Sequence, residues 1–241
     1  MPDPLRILMI THHRTLRTRP RSRIMAQNLI QRGHQVTLIT TADTRRFGIQ
    51  SRTIDDVPVI EVPDLLWGRL RSGWDLWAML NRWLYLRRTD TTWDLIHCFE
   101  TRPNTIHPAL DFARRRHIPL LTDWNDWFGR GGLLKVLRPR WYQIFFGWLE
   151  TYYEEGFRSR AAGTTVICTA LAQRAAALGI PPAQICRIPG GTVPDLYPAY
   201  LKSACRERLG YPPDAPLLGF ASADSHLDVG LMFSALARVA L

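Results

Sequence analysis

Two hydrophobic rhythms alternate along the chain. Short apolar runs of strand length recur at Leu5–Thr11, Val36–Thr40, Val57–Val62, Asp94–Phe99, Ile118–Thr122, Thr164–Cys168 and Ile185–Ile188. Segments with helical periodicity lie between them. In 22–32, Ile24, Met25, Leu29 and Ile30 share one face and Gly33 is the stop signal. Residues 74–88 form a second helix. A third is expected over 107–117, with Pro108 in its first turn. Residues 139–160 make one long helix or two. Thr169 is the expected cap of a helix that sets Leu171, Ala175 and Leu178 on one side and ends at Gly179. The opening strand, helix and strand span about 35 residues, the size of a βαβ unit. Repetition of that unit predicts an α/β domain over residues 1–190, with a doubly wound, Rossmann-like parallel sheet.

The punctuation then changes. Pro189-Gly190-Gly191-Thr192-Val193-Pro194-Asp195 is rich in turn formers. Residues 191–215 read as an interdomain hinge with a helix at 198–209. A strand at 217–221 and a helix at 227–240 follow. One strand and one helix cannot bury a core, so 216–241 reads as the start of a second, incomplete Rossmann-like domain.

Composition narrows the class. Of 241 residues, 46% are hydrophobic and 22% charged, which excludes global disorder. No apolar run approaches the ~20 residues of a membrane span. The stretch Ile7–Ile10 is too short for a signal peptide. Cys98, Cys168, Cys186 and Cys205 are scattered, with no disulfide or zinc spacing, so a cytoplasmic, metal-free protein is expected. Net charge is +10, and 29 of the 31 basic residues are arginine. Residues 1–52 hold ten arginines against two aspartates, with Arg14, Arg17, Arg19, Arg21 and Arg23 in one run. Such a field draws anions, and the arginine fork grips phosphate oxygens in pairs. A solvated basic face is the plainer alternative for the excess as a whole.

Ligands of open α/β sheets lie beyond the carboxyl ends of the strands. The residues there are Thr11, His12, His13 and Arg14 after the first strand, and Glu100, Thr101 and Arg102 after Asp94–Phe99. Asp123-Trp124-Asn125-Asp126-Trp127 follow Ile118–Thr122, and Gly190 and Gly191 follow the last strand. All four loops are expected to converge on one edge. No G-x-G-x-x-G follows the first strand, and neither a P-loop nor a Gly-x-Ser-x-Gly elbow is present, which argues against nicotinamide enzymes, P-loop enzymes and α/β-hydrolases.

Several segments together carry a family resemblance. Arg6-Ile7-Leu8-Met9-Ile10, then Leu29-Ile30-Gln31-Arg32-Gly33-His34-Gln35-Val36-Thr37, resembles the opening of glycosyltransferase family 4. Asp94-Leu95-Ile96-His97, Ile118-Pro119, Val166-Ile167-Cys168-Thr169-Ala170-Leu171 and Arg187-Ile188-Pro189-Gly190-Gly191-Thr192 resemble its later segments in order. The resemblance covers about residues 5–195. It implies the two-domain GT-B architecture and transfer of a sugar, with retention, from a nucleotide-sugar donor to a glycan or lipid-linked acceptor. The nucleotide-sugar is then a co-substrate, and no other cofactor is implied. The first domain of the family binds the acceptor. On that reading Asp123 and Asp126 are catalytic candidates. His12, His13, Arg14, Arg17, Glu100, Arg102, Trp124 and Asn125 bind acceptor, and Gly190 and Gly191 form a donor-side hinge.

The chain departs from the family in places. Its first loop is His12-His13-Arg14-Thr15-Leu16-Arg17 where the family has glycines, which suits a phosphate-bearing acceptor; His12 and His13 are otherwise ordinary turn residues. Asp123-Trp124-Asn125-Asp126 stands where the family often has a histidine. Trp124 and Trp127 either stack on sugar or pack as core or lid, and Asp123 either orients hydroxyls or caps a turn. Residues 222–230 lack the family's diphosphate-gripping cation, and its glutamate pair is missing. This chain alone is therefore expected not to catalyse transfer at a useful rate. The alternative function is a non-catalytic binding module or split-enzyme subunit that recognises a phosphorylated glycan or lipid. No nucleic-acid motif is present, so nucleic acid is not an expected partner.

Residues 66–88 hold four tryptophans and five arginines against one acid, and 133–149 add Lys135, Arg138, Arg140, Trp141, Tyr142, Phe145, Phe146 and Trp148. Two readings stand: peripheral contact with an anionic membrane surface at its inner face, or helices whose aromatics cover the sheet. The need of a doubly wound sheet for apolar helix faces favours the second for most of these residues.

Overall fold

The computed structural model describes residues 3–14, 20–65, 73–191, 200–217, 219 and 229–239. Arg17, the hinge residues from Thr192 to Asp195 and most of the strand expected at 217–221 lie outside the described residues. The chain divides into two compact units, Met1–Thr192 and Val193–Leu241.

The first unit is built on eight strands: β1 (Arg6–Arg14), β2 (Gln35–Thr41), β3 (Gln50–Ile54), β4 (Val57–Val62), β5 (Leu95–Phe99), β6 (Leu120–Trp124), β7 (Gly163–Val166) and β8 (Ile185–Arg187). Their order across the sheet is β3-β4-β2-β1-β5-β6-β7-β8. Every pairing is parallel except β3–β4. Without β3 this is the Rossmann order, with its switch point between β1 and β5. The expected α/β class is therefore the observed one.

Strand β1 shows why the sheet sits where it does. Its side chains alternate between faces. Leu8 and Ile10 join a core with Ile96, Ile106, Phe112 and Phe157. Ile7 and Met9 join the opposite core with Ala26, Val36, Leu38 and Phe99. Both faces are covered, so the strand reads as a continuous apolar run. Helix α1 (Arg21–Gln31) packs on the second core through Ala26. Helices α2 (Leu76–Arg88) and α3 (Pro103–Arg116) supply Leu86, Ile106 and Phe112 to the first. Asp75 caps α2, its carboxylate accepting from the Ala78 and Leu65 amides at 2.9 Å each. Helix α4 (Leu134–Leu137) is a single turn, and α5 (Arg140–Glu155) leads through a 3-10 turn at Arg158–Arg160 into β7. Helix α6 (Thr169–Ala177) packs Leu171 and Ala175 against Trp124 and Val166.

Three expectations need correction. Strand β3 is missing from the hydropathy reading because Gln50-Ser51-Arg52-Thr53-Ile54 is polar. It is an edge strand, where polarity blunts further pairing. It meets β4 through Asp55 and Asp56, both with left-handed backbone (φ 48° and 63°), the geometry of a tight two-residue hairpin. The cap of α6 is Cys168, not Thr169; the Thr169 hydroxyl instead accepts from Arg187 at 2.8 Å.

The third correction is Pro108, which lies inside α3 rather than in its first turn. Proline has no amide to offer the carbonyl four residues back. That carbonyl belongs to Asn104, and the Arg82 guanidinium donates to it at 3.3 Å. The same guanidinium reaches the Thr11 carbonyl at 2.9 Å and the Thr41 hydroxyl at 2.7 Å. Burial brings Arg82 down to about 10, with Cys98, Asp64 and Asp75 pulling the other way, so it stays charged at neutral pH. One buried cation thus ties together the ends of β1 and β2 and the start of α3. Lysine cannot span three diverging acceptors. We expect Arg82→Lys to cost about 2 kcal/mol, read as a lower urea midpoint at unchanged m-value; a loss under about 0.5 kcal/mol would show that the three contacts are not what hold these ends.

In the second unit, α7 (Lys202–Leu209) and α8 (Val229–Val239) are described. Arg206 folds back to donate to the carbonyls of Pro212 and, at 2.8 Å, Ala215. No described helix of the chain is long and apolar enough to cross a membrane.

Candidate acceptor-side site

Parallel strands deliver their carboxyl ends to one edge, and the residues found there are in contact. Arg21, the first residue of α1, donates through Nε to Asp123 Oδ2 at 3.1 Å. It also donates through Nη2 and Nη1 to the carbonyls of Ile188 and Pro189 at 2.6 and 3.1 Å. That one side chain joins the ends of β6 and β8 to the start of α1. Between β1 and β5, a side-chain carbon on Gly73 would lie 2.4 Å from Arg102 Cβ and 3.3 Å from the His12 ring, so the backbone at Gly73 closes down on both. Arg102 in turn reaches the Glu150 carboxylate at 3.8 Å and stacks over Trp74 and Phe128. The four loops converge, as the topology requires.

The members differ in what they can touch. Asp123 is 1% exposed, and both carboxylate oxygens are engaged: by Arg21, and by the Thr165 hydroxyl, which also lies 3.1 Å from His97 Nε2. It positions Arg21 and is not open to a substrate, a correction to its expected catalytic role. Burial drives His97 down to about 4, so it stands neutral in this network. For Trp124 the packing reading holds. Its indole is fully buried, donates to Glu154 Oε1 at 2.9 Å, and lies 4.3 Å beneath Arg158, so it does not stack on sugar. Arg102 is also buried, with its guanidinium beside Glu150. Trp127 is partly buried under Arg174.

Four groups remain accessible. Asp126 is partly buried and accepts from the Asn125 amide at 3.0 Å. Asn125 lines a cleft of about 480 Å³ with Arg21, Asn28, Arg32, Gly190 and Gly191. His13 is exposed; desolvation still lowers its imidazole, with Asp126 opposing. Arg14 closes β1 opposite Thr41 across an irregularity in the ladder and is partly exposed. His12 is more enclosed than His13. Burial, with His13, Arg102 and Arg82 nearby, keeps it well below the ordinary histidine range, and its Nδ1 has no hydrogen-bond partner.

Glu100 is distinct. It stands at the end of β5 with left-handed backbone (φ 64°), rare for a residue with a side chain. Its carboxyl is nearly buried, and no hydrogen bond reaches it from the described residues. Burial pushes it up to about 7, with Arg158 and Arg102 pulling down and Asp126 and Asp123 pushing up. A strained strand-end carboxyl raised toward neutrality makes Glu100 a candidate functional position.

The loop is held from behind. Glu154 of α5 accepts from Trp124 Nε1, from the Phe128 amide at 2.7 Å and from the Gly129 amide. Arg158, fully buried, donates to the carbonyls of Glu154 and Asp123 at 2.8 and 2.9 Å. Glu154, Arg158, Arg82 and Arg21 were missed as site supports. Charged residues read as surface residues in a hydropathy pattern, and only the unbroken spacing of Gly147, Glu150 and Glu154 could have placed the glutamates on an inner face. Among the described residues no cluster of His, Cys, Asp and Glu is arranged to hold a metal ion.

No curated protein sequence matches the chain. A solved glycosyltransferase from Rickettsia africae is similar in fold, with TM-score 0.56, at 14% identity over 98% of this chain and 58% of that one. Anabaena HepE, solved with UDP and glucose, has TM-score 0.52 at 13% identity over 86% of this chain and 50% of its own. The chain thus spans 58% and 50% of the length of these two solved proteins. Residues 18–191, which carry all the converging loops beyond His12, His13 and Arg14, match the glycosyl transferase 4-like domain, and the chain belongs to that family.

Proposed function

We propose that the chain supplies the acceptor side of a retaining glycosyltransferase, which moves a sugar from a nucleotide-sugar donor to a glycan or lipid-linked acceptor bearing an anionic group. The convergence of His13, Arg14, Glu100, Asn125 and Asp126 at the β1–β5 switch point and its neighbouring strand ends carries this reading. Arg14 offers a cation at the rim for an acceptor phosphate. Asp126 and Asn125 offer acceptor and donor atoms for sugar hydroxyls. Glu100, poised near neutral pH, suits hydrogen bonding to the acceptor hydroxyl, and fixed loops hold that hydroxyl on the face of the anomeric carbon from which the leaving phosphate departs, so that the new C–O bond replaces the broken sugar–phosphate bond with retention. HepE, solved with UDP-glucose as well, supports a nucleotide-sugar as donor. The cleft beside Gly190 and Gly191 is the donor-facing end of the site.

Titration of the full chain with a water-soluble sugar phosphate, against the same sugar without phosphate, tests the acceptor reading. We expect the phosphate to bind at least about tenfold tighter, with that advantage lost in Arg14→Gln and affinity for both ligands reduced in Asp126→Asn. Equal affinity of the two ligands would overturn it.

A further inference from the structure

Helix α5 is amphipathic in the wrong sense for a helix between a sheet and water. Its inner stripe is Gly147, Glu150 and Glu154, all buried. Its outer stripe is Trp141, Ile144, Phe145, Trp148 and Tyr152, at the i, i+3/i+4, i+7, i+11 spacing of one face. Ile144 is 73% exposed, Phe145 66%, Trp148 64% and Trp141 59%. Val136 and Leu137 of α4 are exposed as well. By contrast, the tryptophans of α2 are partly covered: Trp77 donates to the Arg46 carbonyl, and Trp83 lies 3.6 Å under Arg87. The expectation that such aromatics cover the sheet is met in α2 by Tyr85, which packs on the core, and fails for this stripe of α5.

Charge identifies what covers this face. No acidic residue occurs between Asp126 and Glu150, while Arg130, Lys135, Arg138 and Arg140 do. Arg138 is drawn inward toward Glu150, at 3.5 Å. Arg130, Lys135 and Arg140 are exposed, with no ion pair to a described residue. Between α4 and α5 lies a cleft of about 370 Å³, with Arg130 and Lys135 at its rim and Ile144 and Trp148 in its wall. Cations beside a cleft of lipid-headgroup size, ringed by indole and aliphatic side chains, suit the boundary between phosphate and acyl layers. We propose that α4 and the outer face of α5 rest on an anionic lipid bilayer, with a headgroup phosphate in the cleft between them. At 16 residues α5 is about 24 Å long, and it lies along the surface.

The test is co-sedimentation of the full chain with vesicles of phosphatidylglycerol and phosphatidylcholine, against phosphatidylcholine alone, without sugar ligands. Its failure therefore leaves the acceptor reading standing, and the reverse also holds. We expect at least about tenfold tighter binding to the anionic vesicles, weakened by salt. Lys135→Glu/Arg140→Glu should lose that factor. Arg46→Glu/Arg208→Glu, the same charge change at exposed cations elsewhere, should lose less than about threefold. Ile144→Ser/Phe145→Ser/Trp148→Ser should abolish binding with an unchanged circular dichroism spectrum. The conservative Trp148→Phe should remove the blue shift of tryptophan fluorescence on vesicle addition. Equal loss in the two charge-reversed pairs would overturn the proposal. So would equal binding to both vesicle types, or self-association of the chain that the triple variant abolishes in the absence of vesicle binding.

Discussion

Replacing Glu154 with alanine should lower the stability of the first unit by about 4 kcal/mol, the largest single effect expected here. Its carboxylate is the acceptor for the Phe128 and Gly129 amides and shares Trp124 Nε1 with the Asp126 carbonyl. Truncation leaves one buried and one partly buried amide without a partner and opens a cavity beneath an already buried indole. The transition should fall by about 10 °C for a unit of this size. Glu154→Gln keeps the shape and one oxygen but turns a donor toward the Gly129 amide, so about half that loss is expected. Urea unfolding followed by tryptophan fluorescence measures both. A change under about 1 kcal/mol in the alanine variant would mean that the loop at 124–129 is held by something other than this carboxylate.

Glu100→Gln should do the opposite, and only at high pH. The folded carboxyl titrates at about 7 against an ordinary 4.5. The folded state therefore binds the proton more tightly than the unfolded chain does. The carboxyl's favourable contribution is complete below pH 4.5 and is lost as pH rises through 7. Glutamine stays neutral throughout. The variant should match the parent near pH 4 and exceed it by up to about 3 kcal/mol at pH 9. Parallel stability curves for the two proteins between pH 4 and 9 would refute this. A carboxyl kept at such a cost, on left-handed backbone at the switch point, is consistent with a role in binding or transfer. The stabilised variant is accordingly expected to bind the sugar more weakly.

The doubly wound class was legible because central parallel strands are buried on both faces. Ile7-Leu8-Met9-Ile10 cannot be amphipathic, and its uniform apolarity announces the strand. The convergence of loops followed from topology alone. The roles of individual residues did not. Asp123 and Trp124 lie two and one positions from Asn125, yet the strand continues through Trp124 and buries both side chains, while Asn125 and Asp126 escape. Whether β6 ends before or after those two residues is a question of two residues, which hydropathy does not resolve. Strand β3 lies at an edge that pairing, not burial, maintains. Helix α5 inverted the usual reading because its buried carboxylates are stabilised by backbone amides, Tyr142 and Arg102, groups whose positions only the fold provides.

The missing amide of Pro108 and the guanidinium of Arg82 form a pair that must be inherited or exchanged together. A graft of the β1 loop from a relative with different acceptor chemistry would bring in new side chains at 12–14, but the carbonyl of residue 11 would still need a cation from α2. Restoring an ordinary helix at position 108 would leave that cation competing with an amide for Asn104. Because the acceptor at residue 11 is main chain, libraries confined to side chains 12–14 keep this anchor and should yield mostly folded chains, whereas Arg82 and Pro108 are best exchanged together.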